Sequence, residues 1–117
     1  MATKMETGKS GELAAVDFLK SLGYKILQTN WKVSFGEIDI IARDGDLLVI
    51  VEVKTRQNLR HGNPEEAVNY AKQRKLVNLA DIYISRNKVE LETRFDIVAV
   101  IMDDENARIT HHINAFS

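Results

Sequence analysis

The stretch from Gly36 to Arg56, GEIDIIARDGDLLVIVEVKTR, constrains the fold more tightly than any other part of the chain. Two apolar runs flank Asp44-Gly45, a residue pair that favours a tight hairpin turn. A two-residue turn at that pair predicts Arg43 opposite Asp46, Ala42 opposite Leu47 and Asp39 opposite Ile50. Faces alternate along a strand. One face then gathers Ile38, Ile40, Ala42, Leu47, Val49, Val51 and Val53, and is apolar throughout. The other gathers Glu37, Asp39, Ile41, Leu48, Ile50, Glu52 and Lys54, apolar near the turn and charged at the far end. In this register Asp39 and Glu52 lie diagonally across the pair, with Cβ atoms roughly 7 Å apart. Carboxylates so placed can grip one divalent ion with an ammonium beside them. A run as apolar as LLVIVEV belongs inside a sheet, so Glu52 and Lys54 within it need a chemical reason.

With 117 residues the chain has room for one core, and a single domain over residues 1–117 is expected. A formal net charge of −1 supplies no global field for nucleic acid, so any such partner must meet a local basic patch. The absence of cysteine excludes disulfides, thiolate metal sites and cysteine nucleophiles. No apolar run approaches a membrane span and MATKMETGKS has no hydrophobic signal core, so a cytoplasmic location without membrane contact is expected.

In chain order, a helix is predicted from about Gly8 to Leu22, stopped by Gly23, with Ala15, Val16, Leu19 and Leu22 facing inward. Glu12 falls on the same stripe, one turn before Ala15 and Val16, while Asp17, Lys20 and Ser21 face away. A strand over Tyr24–Thr29 and a loop with Asn30, Trp31, Lys32 and Phe35 precede the hairpin. Residues 57–62 read as a basic loop in which His61 is a candidate substrate contact. Asn63, Pro64 and Glu66 spell a helix start, as N-cap, first helical residue and capping-box acid. The helical stretch runs to about Ser85, with a break near Asn69. Its inward stripe is Leu76, Val77, Ala80, Tyr83 and Ile84, headed by Gln73. Strands over Phe95–Met102 and Ile109–Ile113, joined by an acidic turn at 103–106, complete the order α-β-β-β-α-β-β. That order defines an α/β fold with a mixed β-sheet flanked by helices.

Each of these polar residues has a structural reading when taken alone. Glu12 suits the first turn of a helix, Gln73 a helix edge, and Glu52 with Lys54 a cross-strand pair. Asp96, following Arg94 at a strand start, reads as structural. His111 and His112 are adjacent on a strand, point to opposite faces and read as surface residues. Yet Glu12, Asp39, Glu52 and Gln73 each interrupt an apolar stripe, and buried charge is costly unless paired or metal-bound. Their coincidence points to a site.

Asp39 followed by Glu52-Val53-Lys54, after a helix bearing Glu12, resembles the PD-(D/E)XK nuclease pattern, with Ile38 in place of the proline before the aspartate. More closely, the hairpin sequence, the upstream GELAA, Lys72-Gln73-Arg74-Lys75 and Arg94-Phe95-Asp96 resemble the YraN-like family. The resemblance runs from about Gly8 to Phe116. That bacterial family is largely uncharacterised and related in fold to archaeal Holliday junction resolvases.

The resemblance implies a restriction-endonuclease-like core and a Mg²⁺- or Mn²⁺-dependent endonuclease acting on DNA, including branched or recombination intermediates. Asp39 and Glu52 would ligate the metal with the Val53 carbonyl, and Glu12 would serve as an outer or second-metal carboxylate. Lys54 would orient the attacking water and Gln73 would bond a phosphate or that water. Arg56, Arg60, Lys72, Arg74 and Lys75 would hold the nucleic-acid backbone. A homodimer is what action on both strands of a junction would require. The alternatives are a non-catalytic nucleic-acid-binding or assembly module on the same fold, and a nuclease acting on RNA.

Overall fold

The computed structural model describes residues 4–56, 68–103 and 106–117, with side chains at 4–8 and 103 left aside. The expected features at Arg60, His61, Asn63, Pro64 and Glu66, and at residues 104 and 105 of the acidic turn, lie outside these residues. Helix α1 spans Lys4–Ser21, followed by strands β1 (Lys25–Val33), β2 (Gly36–Asp44) and β3 (Leu47–Arg56). Helix α2 spans Tyr70–Asn87, and strands β4 (Glu92–Asp103) and β5 (Asn106–Phe116) close the chain. The strands form one sheet in the order β1-β2-β3-β4-β5. Among the described strands only β3 and β4 run parallel, and a parallel pair needs a crossover, which contains α2. The mixed sheet flanked by helices is therefore the architecture of the chain.

Why β3 can be apolar on both sides follows from this arrangement. Val49, Val51 and Val53 meet Ala15 and Leu19 of α1 in one apolar layer. Leu48 and Ile50 meet Leu76, Leu79, Ala80 and Tyr83 of α2 in the other. A central strand with a helix on each face sheds its apolar surface from water twice. No helix among the described residues is long and apolar enough to cross a membrane.

The hairpin differs from expectation by two residues. Asp44 pairs with Leu47, Arg43 with Leu48 and Ala42 with Val49, so Gly45-Asp46 forms the turn. Gly45 takes φ +58 while Asp46 has no positive φ, which is the demand of a turn with glycine at its first central position. A slide of two preserves the face each residue shows. It also moves Glu52 toward Asp39: the regular ladder ends at Ile40–Val51, immediately before them.

Other departures have tertiary causes. β1 continues through Asn30, Trp31 and Lys32 instead of yielding to a loop, because Trp31 pairs with Ile38 and packs edge-on against Tyr83 of α2. Ile38 lies in the α2 layer, not with Ile40 and Ala42 in the α1 layer. The alternation breaks at Asp39, opposite which Asn30 adopts a left-handed backbone at φ 52. Leu22 is 50% exposed, since α1 ends at Ser21 and Tyr24 fills the core position instead. Asn69, the expected break, is the N-cap of α2, its side chain accepting from Lys72 N. β4 and β5 are also longer than predicted.

Candidate metal centre

The site lies where the β2–β3 ladder stops. Asp39 Oδ2 accepts a hydrogen bond of 2.9 Å from Val53 N, so a side chain takes up a strand amide there. Burial pushes the Asp39 carboxyl above its ordinary range, against the Val53 hydrogen bond, and Glu37 adds to the rise while Lys72 and Lys54 oppose it. Glu52 is only 5% exposed. Its Oε1 lies 3.6 Å from Lys54 Nζ and 3.8 Å from Lys72 Nζ. Its Oε2 is buried with no hydrogen-bond partner among the described residues. Burial and then the Asp39 charge drive its pKa up to about 7, with the two lysines pulling the other way.

Glu12 approaches from α1. Gly11 makes that approach close: a Cβ there would run into Thr55 Oγ1 of β3. The Glu12 carboxyl is raised first by burial and next by Asp39, and Asn30 offsets this with a side-chain hydrogen bond. Asp39 thus stands in electrostatic reach of Glu12 and of Glu52. Among the described residues, however, no three His, Asp or Glu side chains converge as a closed metal cage. Two carboxylates suffice for Mg²⁺, which keeps most of its waters. The orphaned Glu52 oxygen, the neighbouring Asp39 and the all-oxygen donor set fit such an ion.

The other predicted residues divide. Gln73 Nε2 donates to Val68 O at 3.1 Å, fastening the chain entering α2, so its amide nitrogen is engaged locally. Lys72, expected in an outlying patch, reaches the centre itself. Lys75 lies over Gly36, whereas Arg74 is exposed and Arg56 Nη1 turns back to Thr55 O at 3.2 Å. Asn30 was not anticipated, and a left-handed asparagine inside a strand leaves no periodic signal.

A second polar cluster occupies the α1 layer. Asp96 is fully buried, and Arg94 Nε and Nη2 donate to its two oxygens at 2.9 and 3.0 Å. His111 Nε2 lies 2.7 Å from Asp96 Oδ2, and Asn114 N donates to Oδ1 at 3.0 Å. Arg94 also reaches Tyr24 Oη and Asp44. The structural reading of Asp96 fits these contacts. The surface reading of His111 is corrected: its side chain is 6% exposed, ringed by Phe18 and Tyr24, because antiparallel pairing sets β5 beside β4.

The sheet and the acid–lysine cluster on its central hairpin thus define an α/β protein with a compact, oxygen-rich candidate cation centre. A profile of the uncharacterised protein family UPF0102 matches residues 11–100. A UPF0102 protein of Thermodesulfovibrio yellowstonii is 50% identical over 97% of each chain. One from Dictyoglomus turgidum is 51% identical over 83% of each, and one from Flavobacterium psychrophilum 45% identical over 99% of this chain and 98% of its own. The chain belongs to this family.

Proposed function

We propose that this protein is a Mg²⁺- or Mn²⁺-dependent endonuclease that hydrolyses phosphodiester bonds in DNA, with branched or recombination intermediates as its substrates, in the cytoplasm. The resemblance of Asp39, Glu52, Val53 and Lys54 to the PD-(D/E)XK pattern supports the reading. The observation that carries it is Glu52 Oε2, a carboxylate oxygen buried beside a second carboxylate with no partner among the described residues. A buried acid left this way is costly, and a cation is the natural complement.

A divalent ion held by Asp39 and Glu52 would supply a polarised phosphate and an acidified water. Lys54, on the same strand as Glu52, would hold that water and offset charge developing on the phosphoryl oxygens. Lys72, now on Glu52, is placed to transfer its charge to a phosphate. Lys75 and Arg74 would extend the contact along the backbone.

A second reading, a nucleic-acid-binding module without turnover, draws on the lysine pair that already partners Glu52 Oε1. Pure protein incubated with Mn²⁺ and labelled branched, flapped, single-stranded and duplex DNA, with matching RNA, separates the two. Cleavage of a DNA substrate by the parent, lost in Asp39→Asn, is the expected result. Binding without cleavage of any substrate would favour the module, and cleavage of RNA alone would reassign the substrate.

A further inference from the structure

A cavity of about 310 Å³ opens beside the carboxylates, between α1 and the edge strand β1. Asp39 and Glu12 contribute to its lining, and Leu13, Val16 and Ile40 make its apolar walls. Thr29 and Asn30 present polar groups along one side, and Lys9 stands exposed at the rim. Its volume is at the lower end of small-ligand sites, too narrow for a double helix but suited to one planar ring system. Leu13 is 66% exposed although α1 has a filled inward stripe elsewhere, so its contact surface has no use in the core.

Lys9, Leu13 and Val16 follow one another along a single helix face at spacings of four and three. That face therefore offers a cation at Lys9 and an apolar wall at Leu13 and Val16, with Glu12 between them and Asp39 contributed from β2. We propose that this cavity holds one unpaired nucleotide adjoining the bond to be cut, so that the substrate is a strand free of base pairing at the cleavage point. The inference rests on the endonuclease reading above and specifies the substrate of that site.

The chemistry follows from position. Asp39 lines the cavity, so a phosphate beside an ion that Asp39 and Glu52 would hold would have its own base or sugar within one nucleotide of it. The base lies between Leu13, Val16 and Ile40, with its edge toward Thr29 and Asn30, and Lys9 meets the next phosphate. Apolar side chains sandwich an extruded base in this way, and base edges find hydrogen-bonding groups. A base inside a duplex reaches the cavity only after unpairing and unstacking, an energetic penalty that weakens duplex binding. A single-stranded arm or branch point has no such penalty.

Fluorescence anisotropy in Ca²⁺ tests this, with a short single-stranded DNA and a blunt duplex of the same sequence as probes. The parent binds the single strand more tightly. Leu13→Ser, at an exposed position, weakens single-strand binding about ten-fold while leaving the duplex unchanged, and Leu13→Phe restores or strengthens it. Equal loss on both probes, no loss on either, or a parent that prefers duplex overturns the inference with the endonuclease reading intact. Ca²⁺-dependence that persists unchanged in Asp39→Asn, or no binding to either probe, overturns that reading and this inference together.

Discussion

Glu52 and Asp39 carry opposite instructions from their surroundings: apolar walls favour the neutral acid, and nearby lysines favour the anion. Burial wins at Glu52, whose pKa stands at about 7 against an ordinary 4.5. The metal-free folded chain therefore holds a proton there that the unfolded chain releases. The associated stability is fully present below about pH 4.5 and is lost as pH rises through about 7. The raised Asp39 carboxyl acts in the same direction. Thermal unfolding of the metal-free protein across that window should show Tm falling with pH. In Glu52→Gln the fall should shrink by the equivalent of about 3 kcal/mol. A second residue-level prediction concerns Lys72. Its ammonium occupies Glu52 Oε1 and on the proposed reading would compete there with a metal, so Lys72→Met should tighten Mn²⁺ binding several-fold in a titration without nucleic acid. The same variant should lower the salt dependence of DNA binding by about one phosphate contact. Asp39 and Glu52 were legible in the sequence because a charge inside an apolar run contradicts its neighbours. Lys72 and Asn30 were not, because nothing in a helical lysine or a strand asparagine discloses which strand it faces.

Elements decide how closely those residues meet. α1 crosses β3 with a glycine at the contact, and Gly11→Ala would drive a methyl into Thr55 Oγ1. Overpacking of that kind costs about 1–3 kcal/mol and should displace Glu12 from Asp39. Urea unfolding of Gly11→Ala and of the double variants with Thr55→Ala and Thr55→Gly checks this, because Thr55→Ala should recover part of the loss and Thr55→Gly, which also removes the close Thr55 Cβ, should relieve the remaining overlap. The hairpin teaches a related lesson about reading sequence. Period-two alternation assigned the faces of Ala42, Val49 and Val51 correctly, since a two-residue slip leaves faces unchanged. The turn itself was misplaced by one residue, because Asp-Gly and Gly-Asp both satisfy short-turn chemistry and only the backbone of Gly45 separates them. The reach of β1 through Trp31 was hidden for another reason: its partner Tyr83 lies far along the chain, on α2.

At the scale of the whole molecule, two buried acids divide the labour. Asp96 is saturated by Arg94, His111 and Asn114, and through Arg94 it ties Tyr24, the β2 end at Asp44 and both C-terminal strands into one network. Glu52 follows Val51, the β3 partner of Asp96, on the opposite face, and its Oε2 has no hydrogen-bond partner among the described residues. Removing them should have opposite consequences. Asp96→Ala takes from the half-buried Arg94 its two-pronged partner and from Asn114 N its acceptor, and should cost about 1–3 kcal/mol in chemical unfolding. Glu52→Gln should leave metal-free stability unchanged or higher near neutral pH. One acid is saturated within the sheet; the other is the acid on which the proposed cation site rests. The α-β-β-β-α-β-β order was readable from periodicity and turn residues, whereas the Asp96 network depends on strand neighbours that no local pattern specifies.

The central claim is that Asp39 and Glu52 together form a cation site. Thermal unfolding at pH 7.5 with and without Mn²⁺ measures it directly, because an ion bound only by the folded chain raises Tm. The account predicts a clear rise in the parent and none in Asp39→Asn or Glu52→Gln. No rise in the parent, or an equal rise in both variants, would contradict it.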